Sequence, residues 1–321
     1  MNSIKLADLV LILPELILVG AALIFILFAR RLQKERWEIW ITTGTILAAL
    51  AAALVSVWLL SGGSKTGFGD MIKLDGYSQF FKVLITAALA LSALLSVRNI
   101  NIQRLRPAEY HALLLLSSTG MMFAVSAVDL LTLYLSLELM TLCSYILVGI
   151  TVTRATSNEA SVKYFLLGSF SSALLLYGIA LTYGATGATN FDAIASVLPT
   201  DNVWNNQIVL AGIGLSVAGL AFKIAVVPFH AWVPDAYQGA TAPVAAFLAS
   251  ASKATGLAAL GRVCLVVFPS EAQVLSLVLS GLAALSIILG SIIALSQTDM
   301  KRLLAYSSIA HAGYALLGLI S

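Results

Sequence analysis

Ten apolar runs, each long enough to cross a bilayer, set what this chain can fold into. They fall at 9–29, 39–60, 78–97, 110–128, 130–150, 161–184, 206–228, 242–261, 272–295 and 302–320. A spanning helix needs about 20 predominantly apolar residues. At membrane depth the backbone must satisfy its own hydrogen bonds, so such runs fold as helices or as a closed barrel. The segments of about ten residues with alternating hydrophobicity that mark a membrane barrel are missing. The Ala, Leu, Gly and Ser content of the runs suits helices packed on one another. The expected fold is therefore all-α, a polytopic transmembrane helix bundle. Composition agrees: 60% of residues are hydrophobic and 10% charged, with mean hydropathy +0.97, against about 45–50% and 25% in soluble domains. A soluble enzyme, a disordered tail and a nucleic-acid binder are excluded. The net charge of +3 is spread thinly between apolar runs and does not point to a polyanion. No secretory signal peptide is expected, since no small-residue cleavage site follows the first run.

The basic residues orient the bundle. If the spans alternate, Arg30, Arg31, Lys34, Arg36, Arg98, Arg104, Arg106, Arg154, Lys163, Lys301 and Arg302 fall on one side. Lys5, Lys65, Lys73, Lys82 and Arg262 fall on the other. The positive-inside rule then puts the larger group in the cytoplasm and the N-terminus outside. The runs joined at Asp129 and at 296–301 should be antiparallel neighbours. The last run reaches Ser321 without a polar flank, so either it just attains the outer surface or the chain is a piece of a longer one.

Three charges lie inside runs: Glu138 in 130–150, Lys223 in 206–228 and Lys253 in 242–261. Each costs about 2.5–3.5 kcal/mol at a helix centre, so they must face protein or internal water and should pair. One reading is a Glu138–Lys223 ion pair that only fixes packing, which leaves Lys253 unexplained. The other is a proton relay, in which burial and pairing act in opposite directions on each group's hold on its proton. Pro228 cannot donate to the carbonyl of Ile224. The run 206–228 is therefore either broken beside Lys223, as in transporters, or simply ends near Pro228, with 227–243 as a cytoplasmic loop. His230 and His311 titrate in a range that suits proton shuttling, although a lone histidine is more often a packing residue. Lys163 reads as a lysine snorkelling to the interface, with Glu159 one turn away.

Nothing in the sequence forms a nucleotide loop or a ligand cluster for zinc, iron–sulfur or haem. Cys143 and Cys264 lie in apolar runs and make no disulfide framework. No catalytic residue, bound cofactor or metal is expected in this chain. A faint repeat aligns Gly120 with Gly290 and Asp129 with Asp299 at a shift of 170, and Tyr145 with Tyr314 and Gly149 with Gly318 at 169. Glu138 then falls opposite Ser307 or Ser308.

Two segments, GLAFKIAVVPFHAWVPDAYQGATAPVAAFLASASK (219–253) and ALSQTDMKRLLAYSSIAHAGY (294–314), resemble the antiporter-like membrane subunits of respiratory complex I, the NADH–quinone oxidoreductase. ILPELIL (12–18), KLDGYSQFF (73–81) and SNEASVKYFLLGSFSSALLLYG (157–178) are similar to the same family, so the resemblance covers nearly the whole chain. It implies about fourteen helices built on two inverted five-helix repeats, of which about ten spans are here, with a broken seventh helix. On that pattern 1–108 holds three N-terminal helices, 109–265 the first repeat and 266–321 the start of the second. The resemblance makes Glu138, Lys223 and Lys253 a buried polar axis, with Lys163, His230 and His311 as further members and Pro228 at the helix break. A further charged residue, on a broken twelfth helix, would lie beyond Ser321. It implies a proton-translocating subunit without its own redox centre. NADH, FMN, iron–sulfur clusters and quinone would sit with partner subunits. Other membrane subunits of the complex, including further antiporter-like chains, and the lipid bilayer would be its partners, and the bacterial inner (plasma) membrane its location. A subunit of a multisubunit cation/proton antiporter, a hydrogenase-linked relative, or a scaffold whose charges serve assembly alone are the competing expectations.

Overall fold

The computed structural model describes residues 6–29, 37–198, 206–268 and 272–320. Lys5, Arg30, Arg31, Lys34 and Arg36, used above for orientation, lie outside them. The chain begins with α1 (Leu6–Leu11), α2 (Leu13–Leu27) and α3 (Glu38–Leu60). A short antiparallel hairpin follows, β1 (Lys65–Gly67) with β2 (Ile72–Leu74). Next come α4 (Gly76–Gln103), α5 (Pro107–Ser126), α6 (Leu130–Val148), α7 (Ala155–Thr186), the short α8 (Phe191–Val197), α9 (Gln207–Ile224) and α10 (Trp232–Gly239). A continuous helical stretch, α11 (Ala242–Val267), widens to π turns at Leu248–Ser252 and Val263–Val267. The chain closes with α12 (Ala272–Leu295) and α13 (Met300–Ile320).

Each of the ten apolar runs is mostly helical. Among the described residues eight helices are long and apolar enough to cross a membrane. The other two runs are α2, with 15 residues, and α5, which buries 16 of its 20 residues. α5 packs against α2, α4 and α6 and so forms the centre of the N-terminal half. Helix starts follow local chemistry. Asp75 accepts from the Ser78 backbone N–H in a full capping box before α4, and Asp129 accepts from that of Thr132 before α6. Such caps satisfy donors that the first turn leaves unpaired.

The run 206–228 is broken. α9 stops at Ile224, Ala225 takes a left-handed conformation with φ +66°, and the chain re-enters a helix only at Trp232. The start of the intervening stretch is packed inside the protein. Ala225, Val226 and Val227 are buried, as are Trp232, Val233 and Ala236 beyond it. Its backbone is satisfied from within: the Val227 N–H donates to Ser286 Oγ (2.9 Å) and Trp232 Nε1 to the Phe222 carbonyl (3.1 Å). Irregular backbone is tolerated at membrane depth on that condition.

The faint repeat has a geometric counterpart. A Cβ on Gly120 would stand 2.6 Å from Met140 N and 2.7 Å from Ser136 O, and one on Gly290 2.9 Å from Ala310 N and 3.1 Å from Tyr306 O. Both backbone contacts of the first hairpin map onto those of the second at a shift of 170. The caps map too: Asp129 accepts from Thr132 N and Asp299 from Arg302 N.

The charges gather at two ends. Lys163 and Arg302 meet Asp235, and Arg104 and Arg106 line a cavity with residues 150–153. At the other end β2 bridges to Ala127 and Arg262 meets Asp75. Two cations counted on that side do not flank helices at all. Lys82 is fully buried against Glu15, and Arg262 is buried against Asp75.

Candidate functional site

Lys223 sits in the last turn of α9, directly before the break. The carbonyl end of a helix carries partial negative charge, which favours a cation there. The ammonium is almost wholly buried, and its Nζ stands 3.7 Å from Glu138 Oε1 on α6. Ser172, on α7, lies between them. Its hydroxyl donates a short hydrogen bond to Glu138 Oε1 and accepts one from Lys223 Nζ at 3.3 Å. Three helices thus contribute one group each to an acid–hydroxyl–amine line. Close approach of α7 and α9 makes the line possible. A Cβ on Gly178 would lie 2.7 Å from Ser216 N, and one on Gly219 within 3.1 Å of the Leu175 backbone. Glu138 keeps about a quarter of its side chain exposed while Lys223 keeps 1%, so the carboxylate joins the buried amine to the surface of the chain.

Lys253 is buried on α11. Its Nζ donates to the Ser308 carbonyl at 2.7 Å. Ser308 occupies the position that a shift of 170 gives to Glu138, so where the first hairpin offers a carboxylate the second offers a backbone carbonyl. His311 lies one turn further along α13, and its Nδ1 donates to the Ser307 carbonyl at 2.8 Å. Ser307, Ser308 and His311 line a cavity of about 480 Å³ with Tyr237 and Lys301. The structure therefore brings Lys253 and His311 together through neighbouring carbonyls.

The remaining expected residues stand apart from Lys223. His230 lies in the break, half-buried, its ring 6.5 Å from that of Tyr306. Lys163 is about half exposed and pairs with Glu159 (2.7 Å) and Asp235 (3.1 Å). Asp235, on α10, also accepts from Arg302 at 2.7 Å. Partial burial pushes its carboxyl up, but the hydrogen bonds and charges of Arg302 and Lys163 outweigh that and hold it below the ordinary carboxylate range. This cluster ties α10 to α7 and α13 at one end of the break.

Several buried polar groups are not evident from the sequence alone. Ser172 is one serine among many on α7. His111, fully buried on α5, has Thr42 Oγ1 and Thr45 Oγ1 each 3.1 Å from its two ring nitrogens. Glu15 and Lys82 form a buried pair at 2.7 Å. Glu15 carries the one signal that reads beforehand, an acid inside the first apolar run.

A family model described as NADH:quinone oxidoreductase/Mrp antiporter, transmembrane, matches residues 127–321. The chain belongs to this family. The NADH-quinone oxidoreductase subunit N of Desulfovibrio desulfuricans is 44% identical over 319 residues, covering 98% of this chain and 63% of the relative. Thus the chain spans 63% of that antiporter-family relative's length. A solved chain of respiratory complex I from Thermus thermophilus superposes with TM-score 0.79 at 34% identity, over 95% of this chain and 64% of the other. A chain of the Mrp complex from Dietzia sp. has TM-score 0.82 at 24% identity, over 97% and 59%, a likeness of fold. Like these antiporter-family structures, the chain is a multi-pass membrane protein, and the family match begins immediately before α6, the helix that carries Glu138.

Proposed function

We propose that this chain forms part of a proton-translocating membrane subunit of an NADH–quinone oxidoreductase. The observation that carries this reading is the Glu138–Ser172–Lys223 line at the break after α9. A carboxylate beside a buried ammonium stabilises its charge through a medium of low dielectric. Moving that negative charge away, by protonating Glu138 or swinging it towards the surface, removes the stabilisation and releases the lysine proton. Lys253 and His311 receive it, the break supplying the irregular backbone between them. Lys163 and His230 act at the margins of the same axis, Lys163 by fixing Asp235 and α10.

In this reading 109–265 is the first five-helix repeat and 266–321 opens the second. The paired contacts of Gly120 and Gly290 support it. The cation-rich end of the bundle faces the cytoplasm and the N-terminus lies outside a bacterial inner membrane. The chain does no redox chemistry itself. Quinone reduction, with NADH, FMN and iron–sulfur clusters, takes place in partner subunits and drives the relay through neighbouring membrane chains.

Glu138→Gln tests the reading. In native membranes with the complex assembled, NADH-driven acidification is expected to fall strongly, and unchanged acidification contradicts it. The family description also includes Mrp antiporters, which favours a second reading as a cation/proton antiporter subunit. Adding sodium to vesicles that hold a preformed proton gradient separates the two: the gradient persists in the first and is dissipated in the second.

A further inference from the structure

A second acid–lysine pair lies in the N-terminal helices, outside the stretch matched by the family model. Lys82 Nζ on α4 stands 2.7 Å from Glu15 Oε1 on α2, and both residues are fully buried. Gln79 precedes Lys82 by one turn on the same face of α4 and is also fully buried. Neither atom of the Gln79 amide has a hydrogen-bond partner among the described residues. Apart from the ion pair, the same is true of both Glu15 oxygens and of Lys82 Nζ. Five polar atoms of three buried side chains, two of them one turn apart on α4, therefore lie without enough protein partners. Buried polar groups are satisfied in the great majority of cases, and polar pockets achieve this with water, each molecule making about three hydrogen bonds. If packing alone were served, an apolar pair of similar volume would be neutral or stabilising.

We propose that Glu15, Gln79 and Lys82 form an internal hydrated site that carries a second exchangeable proton, separate from the Glu138–Lys223 line; this rests on the proton-translocating function proposed above. The step is neutral overall. An N–H bond of the Lys82 ammonium breaks and its proton passes through water to Glu15, where an O–H bond forms, leaving an amine and a carboxylic acid. A proton entering at the amine and one leaving from the acid restore the pair and move one charge along it. Gln79 positions the water. Other titratable groups on the elements packed around the site stand towards its ends. Asp75, Tyr77 and Arg262 lie at the start of α4, Asp8 and Lys65 line the neighbouring cavity, and Glu38 and His111 lie towards the opposite end of α3 and α5.

The test is the double variant Glu15→Gln with Lys82→Met, made in the complete complex in its native membrane. It removes both charges together and leaves none unpaired. The readout is protons exported per NADH oxidised, with assembly followed on native gels and Lys223→Ala measured alongside. An assembled double variant with a lowered ratio is the expected result. An assembled variant with an unchanged ratio overturns the proposal. If the double variant fails to assemble, Gln79→Leu decides: a lowered ratio supports the hydrated site and an unchanged ratio overturns it. Unchanged rates of NADH oxidation and acidification in Lys223→Ala mark failure of the translocation reading itself, whereas reduced rates in Lys223→Ala with an unchanged ratio in the double variant mark failure of the second site only.

Discussion

Ser172 shows how little covalent change the proposed relay needs. Its hydroxyl bridges a carboxylate and an ammonium that otherwise stand 3.7 Å apart. A hydrogen bond to a charged group contributes about 1.5–3 kcal/mol, and about 1.4 kcal/mol is a tenfold change in an equilibrium constant. Ser172→Ala is therefore expected to slow NADH-driven acidification by roughly tenfold or more while the complex still assembles; initial rates of acidification in membrane vesicles check this. The two ends of the line were legible in the sequence, because an ionisable residue in an apolar run has few explanations. The bridge was not, because serine is common in packed membrane helices and nothing in sequence spacing says which one faces a charge on another helix. Lys82 was misplaced for a related reason. It lies near the start of its run, where a lysine looks like a flank, and only the packing of α2 on the N-terminal bundle brings Glu15 to it.

At the scale of elements, the hairpins α5–α6 and α12–α13 stand on close backbone approaches at glycine. The Gly120 site is tighter than the Gly290 site, with backbone atoms at 2.6 and 2.7 Å against 2.9 and 3.1 Å from an added Cβ. Overpacking of this kind costs about 1–3 kcal/mol. Gly120→Ala is expected to lower thermal stability by such an amount and Gly290→Ala by less, as read by melting in detergent or nanodiscs. A loss at one position and none at the other would remove the geometric basis for the repeat. The helices of the ten apolar runs were readable, since 20-residue apolar runs leave few choices, and eight of them are long and apolar enough to cross a membrane among the described residues. At the break after α9 the sequence admits both a broken helix and a loop. A proline and two flanking apolar residues fit either, and the burial that decides it is tertiary.

For the whole molecule, the end-to-end arrangement of charge was partly readable. Lys163, Lys301 and Arg302 do gather at one end. What they hold there was not readable: Asp235 couples α7, α10 and α13 across the break. Its carboxyl titrates below its ordinary value of 3.8 in the folded protein. The stability it contributes is therefore complete above that value and is lost as pH falls below it through the folded value. At neutral pH, Asp235→Asn is expected to cost about 1 kcal/mol, since the pairs are partly solvated. In an acid titration of the melting temperature the variant should lack the component of destabilisation that begins below pH 3.8. A variant whose acid profile parallels the wild type would assign that step elsewhere.

The most direct test of the relay is Lys223→Ala in the native membrane, with NADH-driven quinone reduction and acidification recorded and assembly checked by native gel. The expected result is an assembled complex with both rates strongly reduced, because the group that passes the proton across the break is gone. An assembled complex with both rates unchanged would contradict the relay and leave Lys223 a packing charge.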